Sequence, residues 1–159
     1  MGNSYVQIMI EALTKKAVTL SQIVAACDEQ ENCLKSTPLQ VDRYKELVNV
    51  KNDLAGEIQK IDDGFVSVYD RVSEELKDHK EEYQIEIKKI QELIKKITDL
   101  TNSVSTKETR IAGQAKNIAG LNQVKQKKVT ATYGNVANKY ANVMNKTIGQ
   151  GSVFINQKQ

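Results

Sequence analysis

The sequence has no tryptophan, one proline, one histidine and two cysteines among its 159 residues. Each scarcity excludes something. Aromatic residues are only 5% of the chain, so burial has to come from aliphatic stripes along helices and not from a bulky globular centre. The near absence of Pro, with many Lys, Glu, Gln, Ile, Val and Ala, favours helix over sheet. A single histidine, His79, set between Asp78 and Lys80, cannot build an imidazole ligand set and reads as a solvated residue near a turn. Cys27 and Cys33 are six residues apart, roughly 9 Å along a helix axis. That separation is too long for a disulfide and is not a CxxC pair, so two reduced thiols are expected.

Nor does the chain carry an apolar run long enough to cross a bilayer. Met1 to Tyr5 lacks the basic start and apolar centre of a signal peptide. Gly2 has the position of a myristoylation site, but Val6 stands where Ser or Thr is needed. The expectation is an unlipidated, cytoplasmic protein.

Catalytic patterns are missing too. The acidic pairs Asp62-Asp63, Glu74-Glu75 and Glu81-Glu82 are adjacent, so on a helix they diverge by about 100° and do not face one site. Asp62-Asp63-Gly64 lacks the alternating oxygen ligands of a calcium loop, and neither HExxH nor a Gly-rich loop followed by Lys-Ser/Thr occurs. The expectation is a protein that is no enzyme, with no metal and no cofactor.

What is present is periodicity. Val6, Ile10, Leu13, Ala17, Leu20, Val24, Cys27 and Leu34 recur at steps mostly of four and three, which keeps one helix face apolar. The pattern stops at Ser36-Thr37-Pro38, since a residue before proline is driven from the helical region. A second stripe runs through Tyr44, Leu47, Leu54, Ile58, Ile61, Phe65, Val68, Val72 and Leu76, interrupted by Lys51. A third holds Ile87, Ile90, Ile94 and Ile97, widened by Leu93 and Leu100. Between the second and third, Asp78-x-x-Glu81 fits an acidic capping box; a turn near 78–81 is favoured, and one longer helix is the alternative. Ser105 with Glu108 fits a second box, which predicts a break over 103–108. Beyond it Gly113 and Gly120 weaken the pattern, and Thr147 to Ser152 cannot propagate a helix. These signals predict an all-α fold: an elongated antiparallel helical hairpin or bundle of three to four long helices with coiled-coil-like packing. Its single domain spans 1–147, with helices near 4–35, 39–78, 81–102 and 105–147, and 148–159 form a flexible C-terminal tail.

Charge is unevenly spread. Residues 1–100 carry 14 Lys/Arg against 19 Asp/Glu, whereas residues 101–159 carry 9 against 1. A basic terminal third raises nucleic acid as a partner, but Tyr133 and Tyr140 sit in an aliphatic stripe with Val129, Val136 and Val143 and not as free stacking platforms. That seam, closed by Met144 and flanked by Ala131, Ala137 and Ala141, is suited to burial against protein. It can pack in cis on the same bundle or bury itself against a partner. The candidate partner-binding residues are therefore Val129, Tyr133, Val136, Tyr140, Val143 and Met144.

The run Leu47-Val48-x-x-Lys51-x-x-Leu54-x-x-x-Ile58-x-x-Ile61-Asp62-x-Gly64-Phe65-x-x-x-Tyr69-x-x-Val72 resembles the second helix of flagellar type III export chaperones of the FlgN and FliT kind. The Asp28-Glu29-Gln30-Glu31 end of the first helix and the late Tyr140-x-x-x-Met144 with Phe154-Ile155 are similar to that family as well. The resemblance implies a cytosolic chaperone that binds terminal helices of hook-associated or filament-cap subunits through its C-terminal region and prevents their premature assembly before secretion. The competing expectation is a structural or adaptor coiled coil that forms a homo-oligomer, a homodimer being one form, with nucleic-acid binding third.

Overall fold

A computed structural model of the chain describes residues 4–118. They form three long helices, α1 (Tyr5–Lys35), α2 (Val41–Asp78) and α3 (Gln84–Ala115). The helices run up, down and up. α1 lies in the middle and packs along both neighbours, whereas α2 and α3 have little backbone contact with each other. The all-α bundle expected from the stripes is the architecture found.

The ends follow from local chemistry. Ser4 caps α1 by accepting a 3.0 Å hydrogen bond from the Gln7 amide, which satisfies one of the donors left open at a helix start. α1 stops at Lys35, just before Ser36-Thr37-Pro38. α2 ends at Asp78 and the chain turns through residues 79–83. The capping box expected at Asp78 and Glu81 does not form: α3 begins after Tyr83, without a side-chain cap, while Glu82 meets the His79 Nδ1 at 3.1 Å.

Because α1 is flanked on two sides, its buried surface is wider than one stripe. Met9, Ile23, Ala26 and Cys33 join Val6, Ile10, Leu13, Ala17, Leu20 and Cys27 in the core. Both thiols are free and buried, and burial pushes each above its ordinary range. On α2 the buried apolar face is Tyr44, Leu47, Val48, Ile58, Phe65, Val72 and Leu76.

α3 corrects one expectation. It runs unbroken through Ser103 to Glu108, where the Ser/Thr cluster predicts a break between helices 81–102 and 105–147. Thr101, Val104, Ile111 and Ala115 are all buried, so the core stripe begun by Ile87, Ile90, Ile94 and Ile97 continues on the face toward α1. Tertiary burial outweighs the weak local preference of Ser and Thr for a cap. The rest of the expected fourth helix, up to 147, and the tail 148–159 lie outside the described residues.

Candidate functional site

The six seam residues Val129, Tyr133, Val136, Tyr140, Val143 and Met144 also lie outside the described residues. Within 4–118 the notable features are polar groups sealed in the core and an apolar groove on one flank.

The deepest polar feature joins α1 to α2. Lys16 Nζ donates to Asp62 Oδ1 at 2.7 Å, and the two side chains are 0% and 1% exposed. Burial pulls the Lys16 ammonium below its usual range and pushes the Asp62 carboxyl above its own, and each partner's charge offsets part of the other's shift. Asp62 Oδ2 accepts no hydrogen bond among the described residues.

Farther along α2, Lys51 links all three helices. Its Nζ donates to Gln30 Oε1 on α1 at 2.7 Å and lies 3.3 Å from Glu108 Oε2 on α3. Since α2 and α3 have little backbone contact, this lysine links them through its side chain. The neighbouring α1–α3 seam is closed by a two-pronged Arg110–Glu31 pair at 2.5 and 2.8 Å and by Lys107–Asp28 at 2.6 Å. The Arg110 hydrogen bond holds the Glu31 carboxyl below its ordinary range, against an opposing contribution from burial.

Glu75 does the corresponding work at the other end of the bundle. Its Oε1 accepts from the Val6 amide at 2.8 Å, and its Oε2 from the Tyr83 hydroxyl at 3.2 Å. A carboxylate at the start of α1 satisfies an open backbone donor and complements the positive end of the helix dipole. Close by, Arg71 donates to the Tyr5 hydroxyl and lies 5.3 Å from the centre of that ring.

The Lys16, Lys51 and Arg110 pairs fix helices relative to one another, whereas Tyr5, Arg71 and Glu75 also line an open polar cleft of about 400 Å³ with Glu74, Asp78 and His79. Among the described residues no group of three or more His, Cys, Asp or Glu side chains could hold a metal ion, and no helix is long and apolar enough to cross a membrane.

The groove is a different kind of feature. It lies between α1 and α2, takes in about 560 Å³, and no α3 residue lines it. Ile8, Ala12, Ile61 and Val68 give it apolar surface, with Gly64 among them and the buried Met9 and Phe65 beneath; Glu11, Lys15, Glu57 and Lys60 stand at its polar positions. Ile8 is 37% exposed, and Ala12, Ile61 and Val68 are only partly buried. Ile61 and Val68 belong to the sequence stripe of α2, but α1 covers the face around Ile58, Asp62 and Phe65 and leaves these two at its edge.

Sequence reading notes Lys51 as a break in a stripe and does not single out Lys16 or Glu75. A signal for the first exists. Lys16 stands between Leu13 and Leu20, and Asp62 between Ile58 and Phe65, so opposite charges occupy core positions of consecutive helices. No protein-family model, curated protein or solved structure matches the chain.

Proposed function

We propose that this protein is a non-enzymatic, cytosolic binding module of the flagellar export chaperone kind, which holds a hook-associated or filament-cap subunit by a terminal helix before secretion. The observation that carries the reading is apolar surface in excess of what the core uses. The α1–α2 groove is apolar and open, and the seam from Val129 to Met144 adds a further amphipathic stripe. A body of long helices locked by Lys16–Asp62, Lys51–Glu108 and Glu31–Arg110 offers a rigid base for such a contact.

The resemblance to FlgN and FliT chaperones supplies the particular client. Several residues that carry it, namely Leu47, Val48, Lys51, Ile58, Asp62, Phe65 and Val72, are buried positions of α2. They describe the scaffold, so the client assignment rests on the family's way of using that scaffold. Binding would bury apolar area at about 25 cal/mol per Å² before the costs of association. The sequence carries no Gly-rich loop followed by Lys-Ser/Thr, and in this reading release falls to a competing partner.

The test is co-expression with hook-associated and cap subunits. A soluble one-to-one complex that disappears when the client's terminal helix is deleted supports the reading. If no subunit is retained in solution, the chaperone reading fails and the adaptor coiled coil takes its place.

A further inference from the structure

The two halves of α3 hold α1 by different means. Up to Leu100 the buried residues are Ile87, Ile90, Ile94 and Ile97, two rows of isoleucine, with Leu93 and Leu100 packed partly against the same core. Beyond Leu100 one row continues as Val104 and Ile111, while the other turns into Thr101, Glu108 and Ala115. Thr101 is buried, and among the described residues its hydroxyl makes no hydrogen bond. Apolar stabilisation follows the area removed from water, and an unpaired buried hydroxyl opposes it. The carboxyl-terminal half is therefore held less by apolar contact. It is also the weaker helix, since Ser103, Ser105, Thr106 and Gly113 all form helix poorly.

Charge supplies the hold there. Three ion pairs to the neighbouring helices gather in one turn of α3: Lys107 with Asp28, Glu108 with Lys51 and Arg110 with Glu31. Asp28 and Arg110 stand about half in solvent, 53% and 48% exposed, so water can take the partner's place when the pairs part. Cys27 lies beside this turn. It is closed to solvent; burial raises its thiol, and the charges of Lys51 on α2 and Glu108 on α3 act on it in opposite directions. Burial raises Cys33 as well, but there the acting charges are Glu29 and Arg43, on α1 and α2. One native thiol therefore sits under the carboxyl-terminal half of α3, and the other sits away from it.

We propose that residues 101–115 of α3 are a strap that comes away from α1 as a unit, starting where the isoleucine rows end and latched by Arg110–Glu31, Lys107–Asp28 and Glu108–Lys51. Proteins open locally in cooperative pieces, and the least stable piece opens most often. In the open form solvent reaches Cys27, Asp28 and Glu31 of α1, while α1 and α2 stay joined by Lys16–Asp62 and Lys51–Gln30. The bundle thereby gains a second surface without unfolding its body. A ligand that binds only the bared surface, or that takes Lys107 and Arg110, draws the population open.

The experiment uses the full-length chain with Cys33→Ala, which leaves Cys27 as its one thiol. Labelling with N-ethylmaleimide, followed by mass spectrometry, reads how often Cys27 is bared. Lys107→Gln together with Arg110→Gln should quicken labelling about tenfold, with the helical circular dichroism retained. Amide exchange at Val104 and Ile111 should quicken with it, while exchange at Ile90 and Ile97 stays within about twofold. As a second measurement, Thr101→Val removes the unpaired hydroxyl from a side chain of nearly the same shape and should slow labelling, the opposite sign. Exchange that quickens equally along the whole of α3 would overturn the proposal, because the helix would then open as one piece. Labelling that neither the double substitution nor Thr101→Val changes would overturn it too.

Discussion

Lys16 on α1 and Asp62 on α2 meet at 2.7 Å with both side chains closed to solvent. The cost of burying either charge exceeds what a surface pair could recover, so the pair persists only because each charge is the other's partner. Among the described residues Asp62 Oδ2 accepts no hydrogen bond, so the desolvation of this carboxylate is only partly offset by its partner.

Removing one partner should therefore be worse than removing both. Lys16→Ala leaves a buried carboxylate alone and is expected to cost about 3–5 kcal/mol, while Lys16→Met with Asp62→Leu should be neutral or stabilising. Urea unfolding of the three proteins measures this. A double variant weaker than Lys16→Ala would contradict it.

Lys51 is the side-chain bridge between α2 and α3, so its removal should loosen α3 in particular. A double-mutant cycle on Lys51→Met and Glu108→Gln should give a coupling of about 0.5–3 kcal/mol. Hydrogen exchange should quicken on α3 around Val104 and Ile111 more than on α1.

Acid should act on two groups in opposite directions. The Glu31 carboxyl is held below its ordinary value of 4.5 by Arg110, so its contribution is complete above that value and is lost as pH falls through the lower, folded one. Asp62 is raised above 3.8, so its contribution is complete below that value and lost as pH rises. Between about pH 5 and pH 3, Glu31→Gln should flatten the fall in melting temperature, and Asp62→Asn should steepen it. Parallel thermal melts of the two variants check both signs.

Much of the architecture is legible in the chain, for identifiable reasons. The end of α1 is readable because Ser36-Thr37-Pro38 punctuates it, and the apolar faces are readable because Ile, Leu and Val recur at helical spacing. The continuity of α3 is not, since Ser103, Ser105 and Thr106 look like a cap when their burial context is unknown, and only the positions of Thr101 and Val104 against α1 decide the matter. The polar links are hidden by distance: Val6 and Glu75, or Lys16 and Asp62, are joined by folding alone. The groove is missed because Ile61 and Val68 count as core in any stripe, and which edge of a stripe α1 leaves uncovered depends on how two helices cross. The seam from Val129 to Met144 lies outside the described residues, so sequence remains its whole basis.

The most direct measurement of the account is calorimetric titration of a hook-associated or cap subunit's terminal helix into the full-length protein and into Tyr140→Asp and Val136→Asp. Both substitutions should weaken binding at least about tenfold, by placing a charge in a surface that has to be dry, with the helical circular dichroism and the melting of the α1–α3 body unchanged. Binding of wild-type strength in both variants would contradict the claim that this seam holds the partner.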